Sequence, residues 1–241
     1  MTNQDRNTQF TRALIGLRSL VLSGDYAAGT RLRETAVAER LGMSRTPLRQ
    51  AMDRLVDEGL LERVETGGCR VARFSMDDIR DAIELRGVLE GTAARLAAER
   101  GVEPNLAREM EAILSDLDTA VDGVLDFRSY VDHNAVFHDL LARLAGSTIV
   151  AREVQRANRL PAASPTAFME GQELIPPFRE SLRRAQQEHH VIFESIMRGE
   201  GARAEALVRE HARLALSNLE YVMQERPGLA KRVPGLALVA Q

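Results

Sequence analysis

Between Arg33 and Gly59 the chain reads RETAVAERLGMSRTPLRQAMDRLVDEG, and few folds accommodate that pattern. Ala36, Val37 and Leu41 give the first helix a single apolar face at helical spacing. Gly42-Met43-Ser44 breaks it, where glycine permits a left-handed backbone and serine offers a cap for whatever follows. The next helix opens Arg45-Thr46-Pro47, with proline tolerated because first-turn N–H groups have no partner inside the helix. Leu48, Ala51, Met52, Leu55 and Val56 turn inward, which leaves Arg45, Thr46 and Arg49 on the free face and the free N-terminal end. Two helices joined by a tight turn, with polar groups at the start of the second, predict a helix-turn-helix whose second helix enters a DNA major groove.

The flanking residues extend the pattern. Phe10, Ala13, Leu14, Leu17, Leu20 and Val21 mark an earlier helix that packs beneath the pair, and Tyr26–Thr30 is a loop. After Gly59, Leu60–Val64 alternates like a strand, Glu65-Thr66-Gly67-Gly68 is a turn, and Cys69–Arg73 returns. This two-stranded ribbon is a wing, placed to touch the sugar–phosphate backbone.

LRETAVAERLGMSRTPLRQAMDRLVDEGLLERVETGGCRV resembles the DNA-binding domain of the GntR family of bacterial transcription regulators. The SRTPLR core, the LVDEGLLER exit and the glycine-bearing wing fall in family order. Ala28 stands where the family usually carries proline before Gly29. The expected DNA-binding residues are Thr35, Ser44, Arg45, Thr46, Arg49, Gly67 and Gly68. Arg45 and Arg49 are candidates for guanine or phosphate contact, because arginine pairs bidentately with guanine O6 and N7. The hydroxyls of Thr35, Ser44 and Thr46 suit phosphates or base edges, and the two glycines let wing backbone approach a phosphate.

At 241 residues the chain can hold one large or two modest domains. Residues 1–74 carry 12 arginines against 9 acidic residues, and the remainder 20 basic against 26 acidic. A basic front and an acidic back suit a DNA reader joined to a domain with another task. Cys69 is the single cysteine, which excludes an intrachain disulfide and fits a reducing compartment. No run approaches the roughly 20 apolar residues of a membrane span, and MTNQDRNTQF lacks the apolar core of a signal peptide, so a cytoplasmic location is expected.

Strand signals vanish after residue 74. Helices are predicted over about 76–99, 104–122, 126–145, 148–160, 173–199 and 201–225, with Ser75 and Asp78 resembling a capping box at the boundary. The expected fold is therefore mainly α: a winged helix-turn-helix over 1–74, an all-helical effector-binding and dimerisation domain over 75–225, and a loosely ordered tail over 226–241. Within the helical part His138, His189 and His211 each sit inside an apolar stripe, with Asn134 one turn before His138. Three imidazoles on inward faces can converge on a metal ion such as Zn²⁺ in a bundle core, or each can be a hydrogen-bonded core histidine. His190 falls among polar neighbours and reads as solvated. Arg86 replaces an apolar residue in the inward stripe of its helix; its partner is either Glu90 one turn on or the carboxylate of a bound ligand.

NAVFHDLLARLAGS and EHHVIFESIMRGEGARAEALVREHARLA resemble the FCD effector domain of FadR-type GntR regulators. The resemblance implies a metal held by Asn134, His138, His189 and His211, with zinc or nickel the expected ion, and Arg86 close to it. Many relatives carry aspartate where Asn134 stands, and a neutral carbonyl is the weaker partner for a divalent cation. Arg156, Asn158 and Arg159 are further candidates for the pocket wall. The reading that emerges is a homodimeric transcription regulator, a repressor of a catabolic operon, that binds operator DNA and senses a small carboxylate effector. The alternatives are a metal-dependent hydrolytic enzyme with a DNA-binding appendage and a pure metal sensor. Asp132 and Asp139 flank the histidines but point off their face, which leaves no general base in these stripes.

Overall fold

The computed structural model describes residues 3–160, 163–166, 175–225 and 236–239. They form two compact units: Met1–Asp78 together with Ala230–Gln241, and Ile79–Leu229.

The first unit contains α1 (Asn3–Leu22), β1 (Arg31–Leu32), α2 (Glu34–Leu41), α3 (Arg45–Asp57), β2 (Leu61–Arg63) and β3 (Cys69–Val71). Gly42 ends α2 at φ +60°, and the Met43 N–H reaches back to Ala38 O at 3.0 Å, which turns the chain into α3. Ser44 sits at the N-cap of α3 with extended backbone, but its hydroxyl makes no capping bond; the expected cap is not formed. Leu48, Ala51, Met52 and Leu55 of α3 are buried against Ala13, Leu17 and Val21 of α1 and Val37 of α2. Burying one such large apolar side chain stabilises by about 1.5–3 kcal/mol, so the inner face of α3 fixes what its outer face presents.

The wing has one strand more than expected. The sheet is antiparallel in the order β1-β3-β2, with Arg31 opposite Arg70 and Leu61 opposite Val71. Arg31 also donates to Gly67 O and, at 3.3 Å, to Thr66 O, so β1 holds the wing tip as well as its edge.

The first unit is closed from far along the sequence. A 3-10 turn at Leu236–Leu238 places Leu238 wholly inside its core, and the Phe74 N–H donates to Leu238 O at 3.0 Å. The loosely ordered tail expected over 226–241 lies mostly outside the described residues; its described part, 236–239, is instead packed structure.

The second unit holds all six predicted helices: α4 (Met76–Arg100, which begins in the first unit), α5 (Pro104–Val121), α6 (Phe127–Leu144), α7 (Thr148–Ala157), α8 (Pro176–Met197) and α9 (Gly201–Glu225). The starts of α4, α5 and α6 follow capping chemistry. Ser75 and Asp78 exchange bonds at the head of α4, with Ser75 N–H to Asp78 Oδ2 at 2.7 Å and Asp78 N–H to Ser75 Oγ at 3.0 Å. Glu103 accepts from the Asn105 and Leu106 N–H groups ahead of Pro104, and Asp126 accepts from Ser129. Gly87 and Gly91 let α4 lie close to α9: a Cβ on Gly91 would stand 3.0 Å from Glu205 O, and one on Gly87 3.1 Å from the Ala212 Cβ. That approach brings Arg86 and Glu90 beside the helix that carries His211.

Candidate functional site

In the first unit the outer face of α3 is polar and accessible. Ser44, Arg45, Thr46 and Arg49 are exposed, as are Thr35 on α2 and Gly67 and Gly68 in the wing. The glycines have φ of +90° and +82°, a backbone other residues avoid, and the turn closes by Gly67 N–H to Val64 O at 2.8 Å. A residue not anticipated from sequence, Glu34, organises the arginines. Its carboxylate accepts from Arg49 Nη2 at 2.8 Å and from Arg45 Nη2 at 3.3 Å. The Arg49 hydrogen bond holds the Glu34 carboxyl below its ordinary range. Both guanidinium groups are thus aimed from the start of α3 by one acid at the start of α2.

In the second unit His138 on α6, His189 on α8 and His211 on α9 come together, all three buried. One ligand atom from each lies within 4.8 Å of the other two, so the trio can hold a metal ion. Each ring has an acceptor at its back. His138 Nδ1 lies 3.0 Å from Glu90 Oε1, His189 Nδ1 3.0 Å from Gln186 Oε1, and His211 Nδ1 3.0 Å from Glu188 Oε2. With Nδ1–H donated backwards, the Nε2 lone pairs are free to serve a cation. His189 Nε2 and His211 Nε2 face each other at 3.0 Å, so both can turn to one cation. Burial, and then the neighbouring imidazoles, hold His189 well below its ordinary range, so it stays a neutral ligand. Burial also lowers His138, outweighing Glu90. Glu90 is opposed by its burial but kept ionised by His138 and then Arg86. The donor set fits a divalent metal of the zinc or nickel kind.

A cavity of about 50 Å³ adjoins the cluster, several times the ~10–15 Å³ that one water needs. His138 and His211 line it together with Asn134 and Arg86. Arg86 is buried, yet its Nε makes no hydrogen bond among the described residues and lies 3.9 Å from Glu90 Oε2, itself without a partner. One further contact, Nη2 to Ala212 O at 3.4 Å, is long. Of the two partners expected for Arg86, Glu90 is therefore only half engaged. The Asn134 amide donates to Pro165 O at 3.4 Å, which leaves its Oδ1 as the lone-pair atom. Tyr130, Ser181 and Asn218 also line the cavity, whereas Arg156, Asn158 and Arg159 do not. His190 is half-exposed and pairs with Asp118 at 2.9 Å, and His133 accompanies Ser129 at 3.2 Å.

A winged helix-turn-helix followed by an all-helical body defines a class: the two-part DNA-binding transcription regulators. Residues 13–71 match the model of bacterial regulatory proteins of the gntR family, and residues 81–214 match the FCD domain. The chain belongs to the GntR family, in its FCD-containing branch, whose members are transcription regulators and not enzymes. It is 24% identical to the uncharacterized HTH-type transcriptional regulator YdhC of Bacillus subtilis, covering 87% of this chain and 90% of that protein. It is 26% identical to the HTH-type transcriptional regulator LutR of the same organism, over 85% and 96% of the two chains. A probable D-xylose utilization operon transcriptional repressor of Paenarthrobacter nicotinovorans is 28% identical over 79% and 80%. Among solved structures, E. coli McbR/YncC superposes with a TM-score of 0.64 at 20% identity, covering 90% and 98%, which shows the shared fold. Among the described residues no helix is long and apolar enough to cross a membrane.

Proposed function

We propose that this regulator is a homodimeric repressor of a catabolic operon, released or retained on its operator by a small carboxylate bound beside a divalent metal. The observation that carries the reading is the buried juxtaposition of three back-bonded imidazoles with the unpaired Arg86 Nε on one cavity. A buried guanidinium lacking a full partner is costly, and a bidentate carboxylate is the group that satisfies it best. His138, His189 and His211 would hold the metal, with Asn134 as a neutral fourth donor. When bound, that metal supplies a positive charge to which a carboxylate oxygen can coordinate. The small cavity suits an acid of few carbons.

On the DNA side, two copies would place two α3 helices in successive major grooves of a pseudo-palindromic site. Arg45 and Arg49 would contact guanine or phosphate, Thr35, Ser44 and Thr46 phosphates or base edges, and Gly67 and Gly68 a phosphate beside the groove. Repression is supported by the likeness to the xylose-operon relative, which is itself named a probable repressor. To move the operator equilibrium the effector must bind one arrangement of the protein more tightly than another.

The test is a titration of operator binding with zinc or nickel and with a panel of small acids, separately and together. A response to acid only when metal is present supports the reading. A response to metal alone, with no acid effective, would make the protein a metal sensor instead.

A further inference from the structure

Gln186 on α8 is 2% exposed and spends its whole side chain on hydrogen bonds. Its Nε2 lies 3.0 Å from Leu114 O and 2.7 Å from Asp118 Oδ1. A backbone carbonyl can only accept, so the amide nitrogen must be the end that faces α5. The amide oxygen is then the end that faces His189 Nδ1, at 3.0 Å. An amide oxygen also only accepts, so the His189 proton resides on Nδ1 and the neutral ring carries its lone pair on Nε2. That is the nitrogen that faces His211 Nε2.

We infer that Gln186 is the positioning residue that makes His189 a metal ligand. It fixes both the tautomer and the rotation of the ring, and α5 in turn fixes Gln186. The inference rests on the reading of the three imidazoles as a metal site. The other two rings are backed by the carboxylates Glu90 and Glu188, and Gln186 does the same orienting work without a third negative charge. The ring is held from one side by this amide and from another by Phe137, which stacks on it with centroids 4.0 Å apart. Phe137 limits tilt but is indifferent to which nitrogen bears the proton; Gln186 decides that.

The experiment pairs Gln186→Met, which keeps the volume and removes the acceptor, with the double variant Gln186→Glu/Asp118→Asn, which restores an acceptor to His189 and a donor behind it. Two measurements are made on the full chain: Zn²⁺ affinity, and the tautomer of His189 from imidazole ¹⁵N shifts in the metal-free protein. Gln186→Met is expected to weaken Zn²⁺ binding about 10–100-fold, the range seen when such backing partners are lost, and to let the Nε2–H tautomer appear at His189. The double variant is expected to return both readouts towards the parent. An Nε2–H tautomer in the parent overturns the assignment, as does an unchanged tautomer or affinity in Gln186→Met. Should Gln186→Met not fold, the double variant decides alone: loss of its Nδ1–H tautomer refutes the role. A parent with the Nδ1–H tautomer but no Zn²⁺ affinity would instead sink the metal reading, which separates the two failures.

Discussion

Arg49 and Arg86 are the same side chain placed in opposite circumstances. Arg49 is 58% exposed and well engaged, with Nε and Nη2 both on Glu34. Arg86 is 3% exposed and unfulfilled, its Nε 3.9 Å from the nearest carboxylate oxygen. An exposed ion pair is weak in water and is exchanged for a phosphate or a base at small cost. A buried, half-satisfied cation on a cavity wall is costly to leave unpaired, so its unmet demand is available to a ligand. The first unit therefore holds its exposed arginines on a replaceable partner, while the second holds a buried arginine in want of one.

The largest expected effect tests that difference directly. Arg86→Met leaves Glu90 with His138 as its remaining partner, and should cost about 1–3 kcal/mol in chemical unfolding while abolishing any response to acids. Arg49→Met should leave stability within about 0.5 kcal/mol. Similar stabilities for the two variants would erase the contrast. On the DNA side the order reverses: Arg45→Ala and Arg49→Ala should each weaken operator binding by about 1–3 kcal/mol in a gel-shift or anisotropy titration if they read bases. If neither variant changes operator affinity, the contact assignment is wrong.

Two glycines sharpen the comparison further. A methyl on Gly91 meets the Glu205 backbone carbonyl at 3.0 Å, so Gly91→Ala should force α4 from α9 at a cost of about 1–3 kcal/mol. A methyl on Gly16 meets only the flexible end of Leu41, so Gly16→Ala should be neutral or stabilising by up to about 1 kcal/mol through helix propensity. Thermal melts of both would separate a backbone limit from a side-chain one. The smallest effect is at the head of α4. Hydrogen bonds from Ser75 hold Asp78 below its ordinary range, so this cap stabilises above that range and the benefit is lost as pH falls through the lowered value. Ser75→Ala should therefore lower stability modestly at neutral pH and by less in strong acid, where only the bond from the Asp78 N–H to Ser75 Oγ is left to lose, as urea melts at the two pH values will record.

Much of this architecture was legible in advance, for identifiable reasons. Helices α4–α9 carry long 3.6-residue stripes, and a histidine inside such a stripe must face the core whatever the tertiary arrangement. What packs behind it is another matter. Glu90 was visible as an inward residue and Glu188 as the neighbour of His189, yet nothing local says that they back His138 and His211. Glu34 likewise looks like an ordinary acid in a first helical turn until α3 is laid beside α2. β1 is two residues long, too short for any alternation, and owes its existence to β3. Ser44 has the right identity for a cap, but identity does not set its rotamer.

Leu238 has a consequence for how the molecule comes into being. The cluster it completes is otherwise drawn from residues 13–71, so the segment synthesised early is sealed by one made more than 160 residues later. Until the far segment emerges, the cluster drawn from α1 to β3 keeps an apolar gap where Leu238 belongs. The core of the first unit is thereby completed only after the whole of the helical unit has been made.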